Sequence, residues 1–241
     1  MRTVTAVAHR GDPYRVRENT LPSLRSAYAR GADAVEIDVR LTADGVPVLL
    51  HDTTLDRLWG HQRPLAALSA AELHGLTGGG VPTLDEALKE TEGRRVLIDL
   101  PDATPRTARA VVGTVVDHGA ADRVAYCAGP AAMLALRAAD PAAEIALTWT
   151  TLAPPRPALL DAIAPRWLNY RFGLVSRELV DHWHARGLLI SAWTADTRRT
   201  IVKLMSHGVD SITSNRVDTL AAVLTGRPGG RAQKTGKEPH E

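Results

Sequence analysis

Two acidic residues interrupt an apolar segment, residues 34–52, which reads AVEIDVRLTADGVPVLLHD. Side chains alternate along a strand, so Glu36 and Asp38 share one face and the apolar residues between them share the other. Two ionised carboxylates about 7 Å apart along a strand repel each other unless a cation lies between them. A hard divalent ion, Mg²⁺ or Ca²⁺, prefers oxygen ligands and would satisfy both acids. The alternative is an ion pair between one acid and a nearby arginine, Arg10 or Arg40.

Two histidines close apolar runs in the same part of the chain. His9 ends the first run, and His51 ends the run that returns after the two acids. Imidazoles give and take protons near neutral pH, so a pair of them can act as general acid and base. The residues that follow suit this chemistry, since Arg10 can hold a phosphate oxygen and Asp52 can orient the ring of His51. A lone histidine at a strand end is more often structural, so the prediction depends on the pair.

These residues must be positioned by a regular scaffold, because strand-like runs alternate with helix-like segments along the chain. The alternation predicts an α/β fold with a parallel sheet, and eight units predict a closed (β/α)8 TIM barrel. An open doubly wound sheet is the alternative, but no glycine-rich dinucleotide motif follows the first run. In such barrels the functional side chains lie at the carboxyl ends of the strands. The eight runs are 3–9, 34–39, 95–100, 123–128, 144–150, 166–171, 188–194 and 210–215.

One segment breaks this rhythm after the second strand-like run. The sequence TADG predicts a turn, and the run that follows it predicts a return strand. Residues 52–82 then form a loop-rich excursion, which we expect to be a small insertion on the barrel rim. Thr83, with Glu86 three residues later, predicts the start of the next helix. We expect one domain over residues 1–225, followed by a disordered tail, residues 226–241, rich in glycine, proline and charge.

The composition favours a small-molecule enzyme over a nucleic-acid-binding protein. The chain has 241 residues, with 29 Lys and Arg against 27 Asp and Glu. The tail carries four of these cations and only two anions, so residues 1–225 are formally neutral and predict no nucleic-acid partner. The single cysteine, Cys127, excludes an internal disulfide and suits a reducing compartment. Since no stretch approaches a membrane span or a signal sequence, we expect a cytoplasmic protein without stable membrane insertion and leave the oligomeric state open.

Seven short motifs follow one another in a fixed order over roughly residues 4–224, and together they resemble the glycerophosphodiester phosphodiesterase family. This family belongs to a superfamily that resembles phosphatidylinositol-specific phospholipase C. The resemblance implies a (β/α)8 barrel with a small insertion after the His-Asp pair, in agreement with residues 52–82. The motifs are HRG (9–11), ENT (18–20), EIDVRLTADGVPVLLHD (36–52), LDRLWG (55–60), VPTLDEAL (81–88), SAWTAD (191–196) and GVDSITSN (208–215).

The resemblance also implies roles for residues singled out above. Glu36 and Asp38 match metal-binding acids of the family, and His9 and His51 match its acid–base pair. Arg10 matches an arginine that contacts the phosphate group. These roles imply a divalent metal cofactor, Mg²⁺ or Ca²⁺, and a small-molecule phosphodiester substrate.

The third strand departs from the family pattern. It usually ends in Glu-x-Lys, which gives a third acidic ligand and a lysine that binds phosphate, whereas this chain reads IDLP. Asp99 stands for the acid and can still bind a metal ion, but Pro101 cannot supply the charge of the lysine. Arg171, at the end of the sixth strand, is the predicted replacement. Trp193 matches a tryptophan that lines the family's glycerol pocket, although a core aromatic is an equal alternative.

The implied reaction is metal-dependent hydrolysis of glycerophosphodiesters such as glycerophosphocholine or glycerophosphoethanolamine. The glycerol hydroxyl next to phosphorus would attack within the substrate, and water would open the resulting cyclic phosphate to give sn-glycerol 3-phosphate and an alcohol. Two alternatives stay open. One is a lipid-directed enzyme, either a lysophospholipase D or a phospholipase C-like phosphodiesterase. The other is a phosphodiester-binding homologue with impaired catalysis, which only the departure at Pro101 supports.

Overall fold

The structure, a computed structural model, describes residues 4–101 and 103–226. Within these residues, eleven strands and ten α-helices alternate through most of the chain. The strands are β1 Thr5–His9, β2 Ala34–Leu41, β3 Pro47–Leu49, β4 Thr54–Leu55, β5 His61–Pro64, β6 Arg95–Asp99, β7 Val124–Ala128, β8 Glu144–Trp149, β9 Trp167–Arg171, β10 Leu189–Trp193 and β11 Ser211–Ser214. The helices are α1 Leu21–Ala29, α2 Asp56–Trp59, α3 Ala70–Thr77, α4 Leu84–Glu90, α5 Pro105–Asp117, α6 Pro130–Ala139, α7 Pro157–Ile163, α8 Arg177–His184, α9 Arg198–His207 and α10 Val217–Leu224.

Eight of the strands form a closed parallel barrel in the order β1, β2, β6, β7, β8, β9, β10, β11. Closure is made by β1, which pairs in parallel with β2 on one side and with β11 on the other. A helix follows each barrel strand before the next one begins, so the (β/α)8 TIM barrel is confirmed and the open doubly wound sheet is excluded.

The outward faces of the barrel strands supply the main core. In β2, the apolar residues Val35, Ile37 and Val39 are buried against the surrounding helices, as the alternation predicts. The intervening acids Glu36 and Asp38 therefore point into the barrel. The alternation of polar and apolar residues in β2 thus directs the acidic side chains toward the barrel axis and the apolar side chains toward the helices.

The helix that returns to β6 begins as predicted. Thr83 caps α4, because its hydroxyl accepts a hydrogen bond from the backbone N–H of Glu86, and the Glu86 carboxylate accepts one from the backbone N–H of Thr83. This reciprocal pair fixes the point at which the insertion ends and the regular alternation resumes.

The prediction that residues 52–82 are loop-rich is wrong. This insertion contains the hairpin β4–β5, helices α2 and α3, and a 3₁₀ turn between them. It also has a small apolar core of its own, separate from the barrel core. The elements β4, α2 and β5 have two to four residues, which is too short to produce a readable hydrophobic period. The eight-residue α3 begins with a capping box of Ser69 and Glu72, a start signal that the sequence analysis did not use. The insertion core consists of Val48, Leu50, Leu55, Leu65, Leu68, Leu73 and Val81.

Among the described residues, no helix has both the length and the apolar character needed to cross a membrane. The tail predicted from residue 226 onward lies almost wholly outside the described residues, which end at 226. The domain boundary at that point stays a prediction.

Candidate active site

A cavity of about 280 Å³ opens at the carboxyl ends of the barrel strands. Six of the eight predicted site residues line it, and a seventh, Asp38, contacts Arg10, which lines it. The six come from β1, β2, β6 and β10, from the turn after β1 and from the segment after β3. A larger cavity of about 460 Å³ lies at the opposite end of the barrel, but none of the predicted site residues lines it. The lining of the smaller cavity includes His9, Arg10, Glu36, His51, Asp99, Pro101, Cys127, Thr148, Asn169 and Trp193.

Three carboxylates converge beneath this cavity because of the strand register. Asp38 in β2 stands beside Asp99 in β6, and His9 in β1 stands beside Glu36 in β2. The acidic oxygens of Glu36, Asp38 and Asp99 lie within 4.8 Å of one another. Glu36 and Asp38 are almost completely buried. The structure thus brings together the three acids named from the sequence.

Burial and mutual repulsion make this cluster unfavourable when it is fully ionised. Burial, followed by the charges of Asp38 and Asp99, raises the pKa of Glu36 well above its ordinary value. Burial, followed by the charge of Asp38, raises the pKa of Asp99 from 3.8 to about 7. A cation between the carboxylates would remove this cost.

One arginine contacts the cluster, as the alternative reading of the sequence allowed. Arg10 Nε lies 3.1 Å from Asp38 Oδ2, although the N–H does not point along a hydrogen-bond direction. The backbone N–H of Arg10 donates to Glu36 Oε2 at 3.0 Å. Because the same guanidinium also binds Glu18, it cannot balance three carboxylates, and the oxygen-only donor set still fits a hard divalent ion.

The ring of His9 is held by two successive hydrogen bonds through residues that follow the last two barrel strands. Its Nδ1 lies 2.7 Å from Asn215 Oδ1, and the Asn215 amide donates to Asp196 Oδ2 at 2.8 Å. Since the Asn215 oxygen can only accept, His9 carries its proton on Nδ1 and presents a bare Nε2, which lies 3.8 Å from Glu36 Oε2. Burial, with a smaller contribution from the charge of Arg10, lowers the pKa of His9. A neutral ring with a free Nε2 is suited to accept a proton.

His51 is held by a carboxylate instead. Its Nδ1 lies 2.7 Å from Asp52 Oδ1, and Arg57 Nε donates to Asp52 Oδ2 at 2.6 Å. Arg57 Nη2 and Arg10 Nη1 both donate to Glu18 Oε1, at 2.6 and 3.0 Å. Burial opposes ionisation of Asp52, but the hydrogen bonds from Arg57 and His51 outweigh it and lower the pKa of Asp52. We call the series His51–Asp52–Arg57–Glu18–Arg10 the ionic chain, and it joins the two sides of the cavity.

The remaining predicted residues are divided between the cavity and its rim. Trp193 lines the cavity, as does Pro101, which stands where the family has a lysine. Arg171 is exposed at the tip of β9, beside Trp193 in β10, and does not line the cavity. Its position is two residues after Asn169, so the two side chains leave the strand on the same side.

Sequence reasoning missed five residues that support the predicted ones. Asn19 donates from Nδ2 to Asp38 Oδ2 at 2.7 Å and accepts from the Asp38 backbone N–H at 3.2 Å. The sequence did carry a signal for these residues, because all five lie inside the short motifs quoted above. Their roles were hidden because each acts on a partner distant in sequence. The five are Glu18, Asn19, Arg57, Asp196 and Asn215.

Carboxylates and imidazoles gathered at the carboxyl-terminal mouth of a closed barrel are typical of a (β/α)8 barrel hydrolase, and the three carboxylates could hold a cation. The model of the Glycerophosphoryl diester phosphodiesterase family matches residues 9–219. The chain belongs to this family, and the predicted enzyme class, a phosphoric diester hydrolase, is confirmed.

Two curated relatives span nearly the whole chain. The protein named glycerophosphodiester phosphodiesterase from Caldanaerobacter subterraneus subsp. tengcongensis is 26% identical, over 93% of this chain and 98% of its own length. The protein named probable glycerophosphodiester phosphodiesterase 2 from Mycobacterium tuberculosis is 29% identical, over 92% of this chain and 91% of its own length.

Solved structures show the same fold. A phosphodiesterase from Oleispira antarctica, solved in complex with the product sn-glycerol-3-phosphate, superposes with a TM-score of 0.85 at 24% identity. The superposition covers 92% of this chain and 96% of that one. At this level of identity, the likeness shows the barrel fold.

Proposed function

We propose that the protein hydrolyses glycerophosphodiesters, such as glycerophosphocholine and glycerophosphoethanolamine, to sn-glycerol 3-phosphate and an alcohol. The observation that carries the proposal is the meeting of two differently held imidazoles and three carboxylates around one cavity of about 280 Å³. Family membership supports the reaction class. The Oleispira antarctica phosphodiesterase, whose structure was solved in complex with the product sn-glycerol-3-phosphate, supports the product.

In this proposal, Glu36, Asp38 and Asp99 hold Mg²⁺ or Ca²⁺ through carboxylate oxygens. A bound divalent ion supplies Lewis-acid stabilisation of the charge that grows on the phosphoryl oxygens. Arg10, the permanently charged cation that lines the cavity among the described residues, neutralises part of the same charge. Asn19 holds Asp38 in place, and the backbone N–H of Arg10 holds Glu36.

The different partners of the two histidines support different tasks in the first step. His9, neutral and with its Nε2 free, takes the proton of the glycerol hydroxyl that attacks phosphorus. His51 donates the proton that the departing alcohol requires, and Asp52 balances the charge of its protonated ring. The attack forms a cyclic phosphate. Water then opens this ring while His51 accepts a proton and His9 returns one.

Two residues complete the proposed substrate site. Trp193 packs its ring against the glycerol arm. Arg171 replaces the lysine missing at Pro101, and it reaches the phosphate from the rim of the barrel. Arg171→Ala is expected to lower activity far more than Arg177→Ala, because Arg177 lies outside the cavity and donates to the Ser206 carbonyl. Equal small effects of the two substitutions would remove Arg171 from the site.

A panel assay tests the function. Purified protein is supplied with water-soluble glycerophosphodiesters and with lysophospholipids, each with Mg²⁺, Ca²⁺ or excess chelator. For the soluble diesters sn-glycerol 3-phosphate is measured, and for the lysolipids the released choline or ethanolamine, free or phosphorylated, is measured. The expected result is turnover of the soluble diesters with a metal ion and none with chelator. Full activity in excess chelator contradicts the metal role, faster turnover of lysolipids favours the lipid-directed alternative, and binding without product favours the impaired homologue.

A further inference from the structure

One sector of the rim around the active-site mouth is basic and contains no acidic residue. It consists of the segments that follow three neighbouring barrel strands, β8, β9 and β10, and we call it the basic rim. Asp196, which directly precedes the third segment, accepts hydrogen bonds from Asn215, and the nearest exposed acid along the chain is Glu178 in the first turn of α8. The segments are residues 150–156, 171–176 and 197–204, and their cations are Arg156, Arg171, Arg198, Arg199 and Lys203.

These five cations have no partner in the part of the chain that the structure describes. All five side chains are exposed, and none forms an ion pair or a hydrogen bond within that part. Other cations around the same mouth are paired. Arg57 bonds Asp52 and Glu18, and Arg15 Nη2 lies 3.7 Å from Asp218 Oδ2. Five positive charges without a counter-charge produce a positive potential over the basic rim, which attracts an anionic partner.

Large apolar side chains are exposed in the same sector. Leu152, after β8, is 73% exposed, and Phe172, after β9, is 38% exposed. Phe172 also lines a groove of about 250 Å³ together with Arg199 and Lys203. Exposed apolar side chains set among cations suit a partner that is anionic at its surface and apolar beneath it. A lipid bilayer has this layering and a nucleic acid does not.

We propose that the basic rim docks the protein on an anionic lipid bilayer, with the active-site mouth facing the headgroups. Leu152 and Phe172 enter the headgroup layer, and the groove holds a lipid phosphate near Arg199 and Lys203. Each cation close to an anionic membrane surface strengthens binding about fivefold, so the contact is peripheral, reversible and weakened by salt. The proposal concerns where the active site is presented, and it does not rest on the identity of the substrate.

Co-sedimentation with vesicles tests the docking. Wild-type protein is expected to bind vesicles of equal parts phosphatidylglycerol and phosphatidylcholine far more tightly than vesicles of phosphatidylcholine alone, and to lose this binding as salt is raised. The double variant Arg198→Gln/Arg199→Gln is expected to weaken binding by about tenfold or more. The control Arg94→Gln/Arg166→Gln removes two exposed cations that precede β6 and β9, at the opposite end of the barrel, and is expected to bind as wild type.

The apolar residues are tested separately. Leu152→Ser is expected to weaken vesicle binding about fivefold or more, whereas Val116→Ser, which changes a side chain 58% exposed on α5, should have no effect. A polarity-sensitive dye on Leu152→Cys is expected to report a less polar environment when anionic vesicles are added. The native thiol, Cys127, is buried, so the dye reports position 152. The same dye on Val116→Cys should not respond.

The inference is overturned if wild type does not bind anionic vesicles, if Arg198→Gln/Arg199→Gln binds as tightly as its control, or if the dye at position 152 does not respond. Vesicle binding that Leu152→Ser leaves unchanged is electrostatic adsorption alone and also overturns it. Turnover of soluble glycerophosphocholine without vesicles, measured on the same samples, should be equal in wild type and in Arg198→Gln/Arg199→Gln. Docking without turnover refutes the phosphodiesterase proposal alone, and turnover without docking refutes the basic rim alone.

Discussion

His9 and His51 differ in what holds Nδ1, and this difference shows the limit of reasoning from residue types alone. The chain predicts both imidazoles and their proximity, because each follows an apolar run in a parallel barrel. It does not predict that an amide oxygen holds one ring and a carboxylate the other. Asn215 lies 206 residues from His9, and only the closed barrel makes them neighbours.

The histidines give the first prediction at this scale. His9→Gln and His51→Gln are each expected to lower kcat by about a hundredfold or more, because each removes an imidazole to which we assign a proton transfer. The thermal midpoints of both variants should stay close to that of wild type. His74→Gln, on the exposed side of α3, serves as the control and should keep normal kcat. Retention of more than about a tenth of wild-type turnover in either variant contradicts the assignment.

The ionic chain gives a second prediction. Arg57 does not line the cavity, yet it bonds both Asp52 and Glu18. Arg57→Gln is therefore expected to lower kcat about tenfold with little change in KM, because it loosens the group that orients His51. Arg63→Gln removes an exposed arginine of the same insertion and should leave both constants near their wild-type values. Steady-state kinetics distinguish the two, and a change confined to KM would show that Arg57 acts on substrate binding.

At the scale of elements, the loop from β1 to α1 depends on one glycine. Gly11 has a φ of +87°, and it follows Arg10, itself left-handed at +57°. A Cβ added at Gly11 would lie 2.7 Å from the carbonyl carbon of Ser23, a backbone atom that cannot move aside easily. Ser23 also bonds the Arg10 carbonyl and the Asp12 N–H, so the tight turn is what aims the Arg10 N–H at Glu36.

Gly11→Ala is expected to lower the free energy of unfolding by at least about 2 kcal/mol, since it adds both a clash and left-handed strain. The matched substitution Gly113→Ala lies within α5, where an added Cβ meets no atom within 4 Å. It should stabilise the protein by about 0.5–1 kcal/mol. Urea unfolding measures both changes. Similar small effects of the two substitutions would contradict the packing of this turn.

The sequence predicts the helices and strands that are long enough to show a clear hydrophobic pattern. The observed strands agree with the predicted runs to within two residues at each end; β2 and β10, for example, span Ala34–Leu41 and Leu189–Trp193. The insertion could not be predicted in this way, because its strands and first helix have two to four residues. Its stability comes from side chains packed across the insertion, such as Leu55 and Leu73, which no local pattern encodes.

At the scale of the whole molecule, the buried acids make the stability of the folded state depend on pH and on the proposed metal ion. The pKa of Asp99 is raised from 3.8 to about 7, and that of Glu36 is also raised, so the folded state keeps protons that the unfolded chain has lost. Raising the pH through this window therefore lowers the stability of the metal-free protein. A divalent ion held by these acids, as we propose, would bind their deprotonated forms, so its stabilising effect would grow over the same window.

Thermal unfolding in chelator is accordingly expected to show a falling midpoint from about pH 5 to about pH 8. Added Mg²⁺ or Ca²⁺ should raise the midpoint more at the higher pH. Asp99→Asn, which removes the titrating carboxyl, should flatten the pH dependence in chelator and weaken the response to metal. A metal-free midpoint that rises over this range would contradict the predicted direction.

Because β1 pairs with β11 and His9 bonds Asn215, this part of the site can form only after the later strand and residue have been translated. His9 is translated 206 residues before Asn215, whose amide oxygen holds its ring. A nascent chain that stops before Ser211 lacks β11, so its barrel is not closed beside β1 and the ring of His9 has no partner to orient it. In the proposed mechanism, His9 is therefore able to act only after β11 has docked beside β1.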